Sequence, residues 1–345
     1  MNMQIVMLLG QDGVTNGAVY ALLALSIMLV FSVTRILLIP QGEFVAFAAL
    51  TMAAMQSGRA VQLGWLVFAL AVVATLMDAA KVWRSKGREP WPHGTLGLLA
   101  VAALALVLTK VLPLDRIGMF AQALLTIALV VPLGPLLYRV FFQAIAAAHS
   151  LVLLIVSIAV HVALVGTGLL MFGPEGGKTE PFSDAFFEIG PAMIASQTLW
   201  VIAATLALMG GLWVFFGKTL YGRALQATAV NRLGAELVGI SPDLAGRASF
   251  TLAAAIGVLS GILIAPITTI YYDSGFIISL KGFVGAIIGG LTSFPVAALG
   301  ALFIGQAEAF STFWASSYKE VIVFTLLLPV LVWRSLAHTR VEDEE

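Results

Sequence analysis

The sequence predicts an all-α, polytopic transmembrane helical bundle of about ten membrane segments, some of them broken or re-entrant. Three observations predict it. The 345-residue chain is 60% hydrophobic and 10% charged, with a mean hydropathy of +1.02, whereas soluble domains carry about 45–50% apolar and about 25% charged residues. Apolar runs of about 20 residues recur along the whole length, long enough to cross a bilayer as helices. The short alternating segments of a membrane β-barrel are absent.

The runs fall near 13–34, 43–57, 62–80, 95–113, 117–138, 150–172, 197–216, 248–272, 282–311 and 320–334. The first is a retained span, because no small-residue cleavage site follows it. The run 282–311 is too long for one simple crossing. It contains Gly289-Gly290-Leu291-Thr292-Ser293-Phe294-Pro295, a natural break, so two shorter helices are expected to meet there. Lys and Arg set the orientation. With the N-terminus outside, twelve of them face in: Arg35, Lys81, Arg84, Lys86, Arg88, Arg139, Lys218, Arg223, Arg232, Arg247, Arg334 and Arg340. Six face out: Arg59, Lys110, Arg116, Lys178, Lys281 and Lys319. The acidic loop 173–191 is then external, and the tail Glu342-Asp343-Glu344-Glu345 is internal and frayed. No polar stretch is long enough to bury a core of its own, so 1–345 reads as a single transmembrane domain.

Composition also excludes function classes. Zero net charge argues against a nucleic-acid partner. Zero cysteine excludes disulfides and thiolate metal sites. The histidines His93, His149, His161 and His338 lack metal-ligand spacing. Only His161 lies within a span, where a hydrogen bond inside the bundle is expected. No Ser/His/Asp cluster, acidic pair or metal motif appears, so no catalytic residues and no metal or cofactor site are assigned. Gly-Lys-Thr occurs at 177–179 and 217–219. A phosphate loop needs a further Gly five positions earlier, where Phe172 and Leu212 stand, so both matches are chance.

The polar segment 217–247 is the most informative. Read as a helix over 222–239, it places Leu225, Ala229, Leu233 and Leu237 on one face. Arg223, Asn231 and Glu236 lie off that stripe. Gly239 is the C-terminal cap, and Pro242 a stop beyond it. Such a helix either packs into a groove on a soluble partner or lies on lipid headgroups.

Several residues are candidates for a translocation path, each with a plainer alternative. Glu308 sits in an apolar run, where an ionisable group is a functional candidate unless it reaches back to water. Gln306 is two residues away. Gln41, Gly42 and Glu43 open the second span, and Glu43 either caps that helix or meets substrate. Asn16 and Tyr20 share one face of the first span and suit helix packing or substrate contact. Gly289, Gly290 and Ser293 supply irregular backbone, which is tolerated at membrane depth around a cavity and marks substrate sites in broken helices. The alternative there is tight packing, as in Gly257-x-x-x-Gly261 and Gly285-x-x-x-Gly289.

Taken together, ordered residues resemble the branched-chain amino acid ABC transporter permeases. In 221–240 they are Gly222-Arg223-Ala224, Ala227, Asn231, Ala235 and Leu237-Val238-Gly239-Ile240. Towards the C-terminus they are Leu280-Lys281-Gly282-Phe283 through Gly289-Gly290-Leu291-Thr292-Ser293, then Ala298, Gly300, Gly305 and Ala307-Glu308-Ala309. Near the N-terminus they are Gly13, Gly17, Tyr20-Ala21-Leu22 and Gly42-Glu43. The resemblance covers about 1–80 and 130–335, leaving 81–128 as an inserted hairpin that preserves topological parity. The family's Asn-x-Ala-His-Gly-(Glu/Asp) element reads Leu38-Ile39-Pro40-Gln41-Gly42-Glu43 here, without the Asn and His.

The resemblance implies an ATP-driven importer subunit in a bacterial-type cytoplasmic (inner) membrane. ATP would be held by a partner ABC ATPase that docks on 217–247, touching Gly222, Arg223, Ala224, Ala227, Asn231, Ala235, Leu237 and Gly239. It also implies a second permease subunit and an extracytoplasmic solute-binding protein. The cargo would be branched-chain or related amino acids, amides or urea, moved by alternating access. The alternative from the residues is an ion- or proton-coupled secondary transporter using Glu308 and Glu43. A membrane-embedded enzyme is disfavoured by the missing catalytic cluster. The topology places Ser85 inside, so a cysteine there should resist labelling from outside.

Overall fold

A computed structural model describes residues 3–84, 93–189, 192–291, 293–326 and 328–332. Ser85, Lys86, Arg88, Thr292, Arg334, His338, Arg340 and the acidic tail lie outside the described residues. In chain order the helices begin with α1 (Met3–Thr34), α2 (Gln41–Gln56), α3 (Leu63–Arg84), α4 (His93–Val111), α5 (Met119–Val130), α6 (Leu133–Leu137) and α7 (Ser150–Phe172). A short antiparallel hairpin follows, β1 (Phe186–Ile189) with β2 (Ala192–Ala195), pairing Phe186 with Ala195. Then come α8 (Ser196–Lys218), α9 (Leu220–Val230), α10 (Arg232–Leu237), α11 (Pro242–Ile264), α12 (Ser274–Ile288), α13 (Phe294–Ala315) and α14 (Lys319–Thr325). A π-helical turn, Tyr138–Phe142, continues α6.

The helical bundle is as the composition predicts. Among the described residues, eight helical stretches are long and apolar enough to cross a membrane. Outside those stretches, α2 has 16 residues and α12 has 15. The hairpin is a departure from an all-helical reading, confined to the loop before α8. The break near Gly289 is present: α12 stops at Ile288 and α13 starts at Phe294. Gly290 and Leu291 take left-handed φ values of 67° and 57°, and their N–H groups return to the Ile287 and Ala286 carbonyls at 2.8 and 3.0 Å. The orphan carbonyls of the helix end are thereby satisfied.

Pro242 does not stop a helix. It stands in the first turn of α11, where a missing N–H costs nothing, with Ser241 as the cap and Asp243 in the first turn. That helix therefore starts six residues before the predicted 248.

The chain divides into two compact units, one of Met1–Met28, Pro181–Leu212 and Ile277–Glu345, the other of Leu29–Glu180 and Trp213–Phe276. In the first unit, α1 and α13 meet through glycines. A Cβ on Gly17 would collide with the Leu302 backbone, and one on Gly305 with the backbone of Gly13 and Gly17. Gly285 of α12 likewise abuts Ala301 of α13. Small residues bring helix backbones into dispersion contact where lipid supplies no hydrophobic drive.

In the second unit, α2 is the central helix, with 14 of its residues buried. Helix α11 packs on it through Gly257, against Phe44 and Gln41, and Gly261, against Val45 and Ala48. The first turn of α2 crosses the backbone at Gly275 so closely that a Cβ on Gly42 would overlap the Gly275 carbonyl. Exposed side chains such as Trp83, Leu170 and Trp213 suit a lipid solvent.

Candidate coupling surface and polar pathway residues

The 217–247 segment is built in the second unit from Trp213 onward. Thr219 caps α9, its Oγ1 accepting from the Gly222 N–H at 3.0 Å, as Thr does at helix starts. Gly222 has no room for a side chain, since a Cβ would strike the Phe215 carbonyl and Phe216. Leu225 is 2% exposed and packs with Leu29, Val33 and Ala245, flanked by Phe215 and Phe216. This apolar anchor fixes which face of α9 is free.

The predicted single helix over 222–239 is corrected by the backbone. Asn231 leaves helical geometry (φ −149°, ψ 100°) and caps a new helix, its Oδ1 accepting from the Gly234 N–H at 2.9 Å. Asn favours this because its side chain competes for nearby backbone donors. The stripe Leu225, Ala229, Leu233, Leu237 is therefore not continuous: Leu225 faces the core, while Leu237 is 80% exposed. Gly239 ends the segment in the left-handed region at φ 90°, the capping role predicted for it.

Between α9 and α10 lies an open groove of about 500 Å³ lined by Arg223, Gln226, Ala227, Val230, Asn231, Gly234, Ala235 and Val238. Ala235 is buried and Ala224 half-buried, while Arg223 is exposed and donates to the Gly217 carbonyl at 3.2 Å. Val230 and Val238 stand exposed at the groove, and Tyr221 and Leu233 are exposed elsewhere on the segment. The segment thus presents exposed apolar side chains interspersed with Arg223, Gln226, Asn231 and Glu236 on a doubly capped helix pair.

In the same unit, Gln41, Gly42 and Glu43 are all buried at the start of α2. Gln41 Nε2 donates to the Ala253 carbonyl at 3.0 Å. Glu43 Oε1 meets His161 Nδ1 of α7 at 2.7 Å, with Phe276 stacked 4.9 Å from the imidazole. Glu43 Oε2 and Gln41 Oε1 are buried without a hydrogen-bond partner among the described residues. The position of Glu43 in the first turn fits a helix cap electrostatically, but its side chain is spent on α7. The predicted hydrogen bond of His161 is thus present, and its partner is a candidate residue.

In the first unit, Tyr20 and Glu308 come together. The Tyr20 hydroxyl donates to Glu308 Oε2 at 2.6 Å. Lys281 of α12 donates to Glu308 Oε1 at 2.5 Å and to Glu320 Oε1 of α14 at 3.2 Å. Glu308 therefore does not reach back to water: it is 7% exposed and ion-paired. Gln306 points elsewhere, donating to the Gly10 carbonyl at 2.9 Å beside Gly13. Asn16 is half-buried. Gly289 packs on Ala297, where a Cβ would clash, and Ser293 stands at the N-cap of α13 without a side-chain capping bond.

Sequence reasoning missed two partners. Lys281 reads as an external charge, although 4% exposed; no local spacing links it to Glu308. Asp78 pairs with Arg139, a contact across 61 positions. The two Gly-Lys-Thr strings hold no phosphate cradle. Gly177 bridges to Ile270, and Lys218 and Thr219 end α8 and cap α9. Among the described residues, no three His, Asp or Glu side chains gather as a metal site.

Comparison with known proteins agrees with this architecture. The family described as branched-chain amino acid transport system, permease component, matches residues 92–331. The chain is 26% identical over 259 residues to the high-affinity branched-chain amino acid transport system permease protein BraD of Pseudomonas aeruginosa, covering 72% of this chain and 84% of that protein. It is 32% identical over 158 residues to the permease protein LivH of Salmonella typhimurium, covering 45% of this chain and 49% of the relative. With LivH of Escherichia coli it shares 34% identity over 136 residues, or 39% and 44% of the two chains. The matched part thus spans about half the length of the LivH relatives. No solved structure matches. With its apolar helices and a family match over most of its length, the chain is a multi-pass membrane protein and belongs to the branched-chain amino acid transport system permease family.

Proposed function

We propose that this chain is the membrane-spanning permease subunit of an ATP-driven ABC importer in a bacterial-type cytoplasmic membrane. It carries branched-chain or related amino acids, amides or urea by alternating access. A separate ATPase supplies the energy, and a second permease subunit and an extracytoplasmic solute-binding protein complete the assembly. The named cargo of the BraD and LivH relatives supports the substrate class.

One observation carries the coupling part of this reading: α9 and α10 are capped, anchored at Leu225, and expose large apolar side chains such as Val230, Leu233, Leu237 and Val238. A preformed helical surface lowers the ordering cost of docking, and Leu233, Leu237 and Val238 supply anchors of the kind that fill a partner groove. On this reading residues 217–247 are the coupling segment of a single permease domain over 1–345. Tyr20, Glu308 and Gln306 in one unit, and Gln41, Gly42 and Glu43 in the other, are candidates for the path. The proton-coupled alternative is weakened by the pairing of Glu308 with Lys281 and the Tyr20 hydroxyl, which gives the buried carboxylate a structural partner.

The test is affinity purification from native membranes in mild detergent. A Walker-motif ATPase should co-purify with the parent chain and be lost with Gly222→Pro or Arg223→Glu, both variants remaining inserted. Recovery of the parent chain alone, or undiminished ATPase with both variants, would overturn the coupling assignment.

A further inference from the structure

Glu43 keeps one oxygen free. It stands in the first turn of α2 and is 1% exposed. Its Oε1 meets His161 Nδ1 of α7 at 2.7 Å, which fixes the carboxylate in one orientation. Its Oε2 is buried and has no hydrogen-bond partner among the described residues. A buried acceptor without a donor is costly, and in a folded protein such a group calls for a bound ligand, water or ion.

The start of α12 covers this corner of the second unit. A Cβ on Gly42 would overlap the Gly275 carbonyl, and one on Gly275 the Gly42 carbonyl. The Phe276 ring lies 4.9 Å from the imidazole, tilted by 34°. Exposure falls inward along this row: Phe276 is 38% exposed, the His161 side chain 15% and Glu43 1%. An aromatic ring therefore stands at the outer end and a free carboxylate oxygen at the inner end. Both covering helices are short. Their 16 and 15 residues rise about 24 and about 22 Å, less than the about 30 Å of a hydrocarbon core. Helix starts that meet within a transporter bundle are a common setting for substrate.

The missing partner of Oε2 is a hydrogen-bond donor. An ammonium group suits the place better than a neutral amide. Its bond to a carboxylate oxygen is charge-assisted, and the face of an aromatic ring attracts a cation. We propose that Glu43 Oε2 and Phe276 form the subsite for the ammonium group of the cargo, with His161 as the positioning residue that holds the carboxylate. The cargo is thereby narrowed from amino acids, amides or urea to amino acids. This rests on the importer reading above.

The test uses the assembly purified from native membranes into nanodiscs, without the binding protein, whose own selectivity then plays no part. Heating followed by fluorescence-detected gel filtration gives the thermal midpoint of the tagged chain. Leucine and isoamylammonium chloride, which has the ammonium but no carboxylate, should raise the midpoint of the parent. Isocaproamide and sodium chloride at matched concentrations should not. Glu43→Gln keeps the shape but places an amide at the carboxylate, and should raise the half-saturating concentration of isoamylammonium by about tenfold. Phe276→Leu should raise it by about threefold. Each variant is compared with its own ligand-free midpoint, so a loss of basal stability does not imitate a loss of binding.

A parent that ignores isoamylammonium, as a site holding only water would, overturns the subsite. So does an equal response to isocaproamide or sodium chloride, or an unaltered half-saturating concentration in either variant. ATP-driven uptake of radiolabelled leucine by the parent assembly, reconstituted with its binding protein, checks the reading beneath. Absence of uptake removes the importer reading, whereas uptake without a response to isoamylammonium removes the subsite alone.

Discussion

Lys281 holds Glu308 at 2.5 Å, although 27 positions separate them and both are buried within a membrane-embedded unit. Two isolated charges there would each be costly. Paired, and with Tyr20 donating to the second carboxylate oxygen, they hold α1, α12 and α13 in one arrangement. Removing Lys281 leaves Glu308 buried without its counter-charge, a loss of about 3–5 kcal/mol for a buried pair, whereas removing Glu308 leaves Lys281 still paired with Glu320 at 3.2 Å, so its cost should be smaller. Glu308→Gln and Lys281→Met should each lower the thermal unfolding midpoint in detergent, and the double variant should lose less than the sum. Strict additivity would show that the contact carries no coupling energy.

Glu43 and His161 make the corresponding prediction in the second unit. His161→Ala strips the partner from a carboxylate that is 1% exposed. An unsatisfied buried polar group costs about 1–3 kcal/mol, more when charged. The variant should be markedly less stable, and His161→Gln, which keeps a donor, should recover part of the loss. Equal midpoints for the two variants would mean that the imidazole acts by packing on Phe276 rather than by pairing.

Gly42→Ala tests the crossing at Gly275. The new methyl group meets backbone rather than a movable side chain, and overpacking of this kind costs about 1–3 kcal/mol. Gly97→Ala, in open space, should be neutral in the same thermal assay.

Asn231→Ala removes the cap that starts α10. Loss of such a cap costs about 1 kcal/mol, so affinity for the ATPase should fall by about fivefold while insertion and overall stability stay near parent. Titration of purified ATPase against nanodisc-bound chain measures it. Unchanged affinity would mean that the partner does not use α10.

The helices were legible because lipid-facing segments have to be apolar and about 20 residues long, a constraint written into composition. The break at Gly289-Gly290 was legible for a similar reason: a sharp turn inside an apolar run needs residues that accept left-handed backbone. Asn231 was harder. In a periodicity reading it is only a polar residue off the stripe, and nothing local says whether its side chain faces water or caps a new helix. Pro242 carried the same ambiguity, since a proline ends one helix and opens the next with equal ease. The pairings of Glu43 with His161 and Glu308 with Lys281 were out of reach, because they depend on which helices become neighbours. Candidate residues were visible one by one as polar groups in apolar runs. Their partners became visible only with tertiary structure.

The widened turn at Tyr138–Phe142 has a consequence for how this stretch can change. A π-helical turn accommodates one residue more than an α-helical turn of the same rise. Deleting a single residue there offers the backbone a return to ordinary α geometry, whereas the same deletion in α7 would rotate every later side chain by about 100°. The stretch is therefore a point where the chain can gain or lose one residue and keep the remainder of the helix in phase. Arg139 rides on that turn, so a length change would trade its grip on Asp78 for a new facing residue, altering one contact and sparing the helix around it.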